Sequence, residues 1–85
     1  MGAEADRILF ELRVGSFRLT RHAKERMDER GVTPSDIRRC AETVRSVEEQ
    51  DNGKHLITGR DISGDELQVV AVWDGETVVI TVMGD

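Results

Sequence analysis

His22, Arg26 and Arg30 recur at every fourth position within the stretch Thr20-Arg21-His22-Ala23-Lys24-Glu25-Arg26-Met27-Asp28-Glu29-Arg30-Gly31. On a helix this spacing aligns one imidazole and two guanidinium groups along a single edge. An imidazole titrates near neutrality while a guanidinium stays charged, so such a row can hold a phosphate and move a proton. The same residues also compose an ordinary solvated helix. In that reading Arg21 pairs with Glu25, Lys24 with Asp28 and Arg26 with Glu29, leaving His22 in the first turn. Arg30, just before Gly31, is favoured there by the helix dipole whatever else it does.

Other chemistry-bearing residues are sparse. His55 follows the Asn52-Gly53 dipeptide and has Lys54 and Arg60 near it in sequence. A histidine beside a hairpin turn is commonly exposed and idle. Cys40 is the single cysteine, and it shares an apolar helical stripe with Ile37, Ala41 and Val44, which makes it a core thiol. No C-x-x-C or H-E-x-x-H spacing occurs, and two distant histidines are a poor metal signal. Neither a metal nor a cofactor is expected.

The elements that must position these residues follow from periodicity. Ala5, Ile8, Leu9 and Leu12 fall at helical spacing, predicting an amphipathic helix over residues 3–14 that stops at Gly15. A second helix starts with Thr20 as N-cap and ends at Gly31, with Ala23 and Met27 as a narrow apolar stripe. Thr33-Pro34-Ser35-Asp36 supplies a capping hydroxyl, a proline in the first turn and an acid at the third position of a third helix. From Ser46 the period becomes extended, with strands near 46–50, 54–60, 65–73 and 76–83. Asn52-Gly53 and Asp74-Gly75 mark tight hairpins and Ser63-Gly64 a longer turn. The last two strands are apolar on both faces and therefore central. The fold class is α+β: two to three N-terminal helices packed on one face of a four-stranded antiparallel sheet, in one domain spanning residues 1–85. The sheet's other face is then open.

Charge separates the two halves of the chain. Residues 1–45 hold ten basic and eight acidic side chains, and residues 46–85 hold two basic and nine acidic, so a net charge of −5 conceals a mildly positive front and a strongly negative back. Arg13, Arg18, Arg21, Lys24, Arg26 and Arg30 concentrate the positive charge. No apolar run approaches the ~20 residues needed to span a bilayer, the N-terminus lacks the order of a secretory signal, and one cysteine fits a reducing compartment. A cytoplasmic location is expected, without membrane association.

The run His22-Ala23-x-x-Arg26-Met27-x-x-Arg30-Gly31-Val32, the Thr-Pro-Ser-Asp helix start, a hairpin and the terminal Val79-Ile80-Thr81-Val82 strand resemble a small bacterial and phage family of unknown function. That family is grouped by fold with the RelE, barnase and colicin-type ribonuclease toxins, and the resemblance extends over about Phe17 to Met83. It implies metal-independent RNA cleavage, in which a base removes the 2′-hydroxyl proton, an acid protonates the leaving oxygen and cations stabilise the phosphorane. By the resemblance His22 is the acid or base, Arg26 and Arg30 bind phosphate, and Thr81 donates a hydrogen bond. His55 has no counterpart in the motif and would complete an acid–base pair. Arg18, Arg21, Lys24, Lys54 and Arg60 would hold RNA, free or ribosome-bound. Thr81 also reads simply as an outward strand residue between Ile80 and Val82.

Composition points to a competing class. Phosphate binding demands basic surface, whereas the strand half is acidic; tyrosine is absent, and Phe10, Phe17 and Trp73 are the only aromatics available for base stacking. A non-catalytic module, an inhibitor or an inactive member of the toxin fold would instead use the acidic strands to engage a basic protein partner such as an antitoxin or host target.

Overall fold

The helix boundaries follow from local chemistry. In the computed structural model, which describes residues 2–84, α1 (Ala3–Val14) and α2 (Arg21–Arg30) each end at a glycine in the left-handed region, Gly15 (φ +80°) and Gly31 (φ +68°). The Thr20 hydroxyl accepts from the Ala23 N–H at 3.0 Å and starts α2. Helix α3 (Pro34–Glu42) opens on a complete capping box: Thr33 Oγ1 accepts from the Asp36 N–H, and Asp36 Oδ2 accepts from the Thr33 N–H at 2.9 Å. Asp36 Oδ1 accepts from the Ile62 N–H at 3.0 Å, pinning the start of α3 to the turn that follows β3. Burial alone would raise the Asp36 pKa, but these backbone and hydroxyl donors outweigh it and hold the carboxyl below its ordinary value. Val44, placed by periodicity on the α3 stripe, lies past the helix end and is half-buried against the core.

Five strands follow rather than four: β1 (Phe17–Leu19), β2 (Ser46–Glu49), β3 (His55–Arg60), β4 (Glu66–Trp73) and β5 (Thr77–Gly84). Their order is β1-β5-β4-β3-β2, with β4 and β5 internal as their apolar composition predicts. All pairings are antiparallel except β1 with β5, so the sheet is mixed. The added strand is three residues long and shows one alternation: Phe17 and Leu19 pack on the core and Arg18 points out. Asn52 (φ +65°) and Gly53 (φ +75°) form the tight turn between β2 and β3, as the dipeptide predicts.

A bulge shapes the β4–β5 ladder. Val70 pairs with Thr81 and Ala71 with Val79, leaving Ile80 as an extra residue. The carbonyl of Ile80 accepts from the Thr20 hydroxyl at 3.1 Å, and the Val79 carbonyl accepts from the Thr20 N–H, so the bulge is where the start of α2 docks.

All three helices pack on one sheet face. The core joins Ile8, Leu9 and Leu12 of α1, Ala23 and Met27 of α2 and Ile37, Cys40 and Ala41 of α3 to Ile57, Leu67, Val69, Ala71, Val79 and Val82 of the sheet. Val70 and Val78 are also buried but stand outside that cluster, on the opposite face, with Leu56, Val72 and Met83 around them. Cys40 is part of the core. Its thiol donates to the Leu67 carbonyl at 3.2 Å, and burial pushes its pKa up to about 12, which removes it as a nucleophile.

Helix α3 comes very near β3 at Gly59. A Cβ on Gly59 would fall inside the van der Waals contact of the Cys40 carbonyl oxygen and 3.1 Å from Thr43 Oγ1. Thr43 Oγ1 also accepts from the Arg60 N–H at 2.8 Å, so a β3 amide closes the end of α3. Because the clash is with backbone, no rotamer relieves it. Gly59→Ala should therefore destabilise the fold by about 2–4 kcal/mol, read as a lowered urea midpoint with an unchanged slope. An unshifted midpoint would show that α3 can slide away at no cost.

Candidate functional site

The α2 row is present, and its members differ in how free they are. His22 is exposed and has no hydrogen bond or ion pair among the described residues. Arg26 is half-buried: Nη1 lies 3.5 Å from Glu29 Oε1, and Nε is shut from solvent with no partner. Arg30 is exposed but donates from Nη1 to the Gly84 carbonyl of β5 at 2.9 Å. The two guanidinium groups thus brace α2, one through its own helix and one to the strand beneath it. Only His22 is wholly available.

The other residues assigned to the same chemistry lie elsewhere. Thr81 pairs with Val70 and so points to the sheet face away from the helices, whereas α2 stands on the helix face. His55 lies on β3, across β4 from the β5 strand that carries α2. It is 3% exposed, not on the surface as its place beside a turn suggests. The reason is alternation: His55, Ile57 and Gly59 share the helix-facing side of β3. Of the proposed RNA contacts, Arg18 pairs with Glu76 and Arg21 with Glu25, Arg60 donates to the Gly64 carbonyl, and Lys24 is exposed. They are distributed from β1 and α2 to the far end of β3.

Lys54 and His55 instead meet at a cavity of about 270 Å³ lined by Glu4, Glu49, Gln50, Gly53, Lys54 and His55. The first turn of α1 forms one wall and the β2–β3 turn the other. His55 Nε2 is 3.8 Å from Glu49 Oε1, and its Nδ1 is buried with no partner. Glu4 also borders a more open cleft of about 680 Å³ that is shared with Ala3, Asp6, Arg7 and Trp73. The Arg7 guanidinium lies 5.2 Å from the centroid of the Trp73 ring. Among the described residues no group of three or more His, Cys, Asp or Glu is placed to hold a metal ion.

Sequence reasoning missed a buried carboxylate beside this cleft. Glu11 Oε1 accepts from the Thr77 N–H at 3.2 Å and from the Thr77 hydroxyl at 2.8 Å, and Oε2 accepts from Arg7 Nε at 2.9 Å. Its signal was available, since Glu11 is three residues from Ile8 and borders the apolar stripe of α1.

These features define a small α+β domain with three helices on one face of a five-stranded mixed sheet and two separate sets of polar residues. Residues 19–84 match the family described as domain of unknown function (DUF4258), and the chain belongs to that family. Helix α1 and most of β1 precede the matched segment. No curated protein and no solved structure matches the chain. No helix is long and apolar enough to cross a membrane.

The hydrogen bonds from Arg7 and then Thr77 hold the Glu11 carboxyl below its ordinary value. A lowered folded-state pKa adds stability above the unfolded carboxylate range, and that stability is lost as pH falls through the folded value. Glu11→Gln should therefore unfold at lower urea than wild type at pH 7, with the gap narrowing toward pH 3. A gap independent of pH would assign the loss to packing instead.

Proposed function

We propose that this domain is a non-catalytic binding module that engages a basic protein partner through the acidic end of its sheet. One observation carries this reading. Six glutamates, Glu11, Glu25, Glu29, Glu42, Glu66 and Glu76, are matched to Arg7, Arg21, Arg26, Arg39, Arg45 and Arg18; of the described carboxylates without a Lys or Arg partner, Glu48, Glu49 and Asp51 fall within four consecutive positions, while the others are spread along the chain in ones and twos. These three stand exposed on β2 and its turn, at a free edge of the sheet. Exposed like charges left together steer a complementary partner and discourage other chains from adding to the edge. Exchanging Glu48, Glu49 and Asp51 for Gln, Gln and Asn should leave folding unchanged and abolish capture of basic proteins that wild type retains. Raising salt from about 0.1 M to about 1 M, which shortens screening from ~10 to ~3 Å, should do the same. Identical capture by the triple variant at both salt concentrations would sink this reading.

A second reading rests on His22, which is solvent-open one helical turn from Arg26. If the domain cleaves RNA, His22 acts as the acid or base with Arg26 and Arg30 at the phosphate. Cleavage of single-stranded or ribosome-bound RNA should then persist in EDTA, vary with pH and fall on the order of 10²–10⁴-fold in His22→Ala. Folded wild-type protein that cuts neither substrate would eliminate it.

A further inference from the structure

We infer that the cavity between the first turn of α1 and the β2–β3 turn is an anchor pocket for an arginine side chain of the basic partner; this deepens the binding-module reading and rests on it. Three elements supply acceptors to one small volume: Glu4 from α1, and Glu49 and the Gln50 amide from β2 and its turn. Glu49 is 73% exposed and has no Lys or Arg partner, so it can meet a ligand without giving up a Lys or Arg contact.

His55 gives the pocket its direction. An imidazole almost wholly out of solvent and without a hydrogen bond is an unmet polar group. A proton on the buried Nδ1 would be a donor with no acceptor, so the geometry favours a proton on Nε2. That N–H is the side of the ring near Glu49 Oε1. His55 is therefore a positioning residue, able to hold the Glu49 carboxylate in the cavity by a charge-assisted bond once the two close from 3.8 Å. The same argument weighs against a transition metal. A histidine bound to metal through Nε2 normally donates Nδ1–H to an acceptor, and here there is none.

A cation with a planar fork fits these acceptors better than a point charge. A guanidinium can bond one carboxylate through two N–H groups and offer its remaining donors to the other. The adjoining cleft, reached past Glu4, has Ala3 and Trp73 for an aliphatic stem, and Trp73 already carries one guanidinium, that of Arg7. Lys54 also lines the cavity and brings the same charge as the ligand. It therefore opposes binding and makes the site selective for a ligand with more than charge to offer.

The test uses the whole domain and two probes, N-acetyl-arginine amide and its uncharged isostere N-acetyl-citrulline amide, titrated into ¹⁵N-labelled protein. The arginine probe should shift the amides of Glu4, Glu49, Gln50 and His55, and the citrulline probe should not. Glu49→Gln and Glu4→Gln should each weaken the arginine probe roughly tenfold, the size of one lost charge-assisted contact. Lys54→Ala should tighten it. His55→Phe, checked for folding by its amide spectrum, should weaken it, while Glu48→Gln, outside the cavity, should leave it unchanged. Equal shifts from both probes, or shifts confined to residues outside the pocket, would overturn the inference. Should the arginine probe leave the spectrum unmoved while the Glu48/Glu49/Asp51 variant still loses its protein partner, the anchor pocket fails and the acidic interface stands. A bound probe whose loss in Glu49→Gln leaves partner capture intact would separate them the other way.

Discussion

The absence of a side chain at Gly59 is the constraint on which the helix layer depends. The backbone of α3 comes so near β3 that the Cys40 carbonyl occupies the space a Cβ would need. With α3 at that height, the Cys40 thiol reaches the Leu67 carbonyl, Thr43 takes the Arg60 amide, and Asp36 takes the Ile62 amide at the other end of the helix. Two side chains of this nine-residue helix and that of its C-cap, Thr43, thus reach backbone groups of β3, β4 or the turn between them. Helix α1 then packs on α3, and its Arg13 donates to the Ala41 carbonyl at 3.1 Å. A larger residue at position 59 would lift α3, and α1 would lose its seat.

Stacking every helix on one face has two consequences for chemistry. It places Thr81 on the uncovered face, so the sheet itself separates it from the His22, Arg26 and Arg30 that the motif groups with it, and it puts His55 beneath the helix layer. It also brings together residues that are far apart in sequence. Glu4, in the first turn of α1, meets Glu49 and His55 only because α1 starts beside the β2–β3 turn. An acid–base pair working on one phosphodiester needs both groups within hydrogen-bond reach of it. A binding site needs only complementary groups around one volume, and the acidic end of the sheet has these.

What the sequence made legible was what local chemistry decides. The Thr33/Asp36 capping box, the Thr20 cap, the glycine stops after Val14 and Arg30 and the Asn52-Gly53 turn each depend on a few adjacent residues, and periodicity found the buried faces of all three helices. β1 escaped because three residues carry one alternation, and its pairing with β5 spans some sixty residues of chain. The bulge at Ile80 escaped because a run of apolar residues conceals which one is extra. His55 was legible in part: its alternation with Ile57 places it on the core side, but the same alternation cannot say that Nδ1 would find no partner there. The cavity itself could not be read, since its walls come from opposite ends of the chain.

The charge asymmetry also changes meaning once the fold is known. Along the sequence the front half is basic and the back half acidic, suggesting a positive face and a negative one. In the structure most of the basic residues of the front half are consumed by neighbours, through six arginine–glutamate pairs and carbonyl contacts from Arg13, Arg30 and Arg38. Five of these pairs are between exposed groups and add little stability, unlike Arg7–Glu11, whose carboxylate is buried. What they do is neutralise, and beside them Glu48, Glu49 and Asp51 stand as three carboxylates without a Lys or Arg partner within four consecutive positions. One wall of the cavity beside these carboxylates is α1, which lies outside residues 19–84. The family match therefore reaches the His22, Arg26 and Arg30 row but not Glu4. Chemistry carried over from the family can concern α2, whereas the pocket depends on α1, whose place over β4 and β5 is held by Ile8, Leu12 and the buried Glu11 carboxylate.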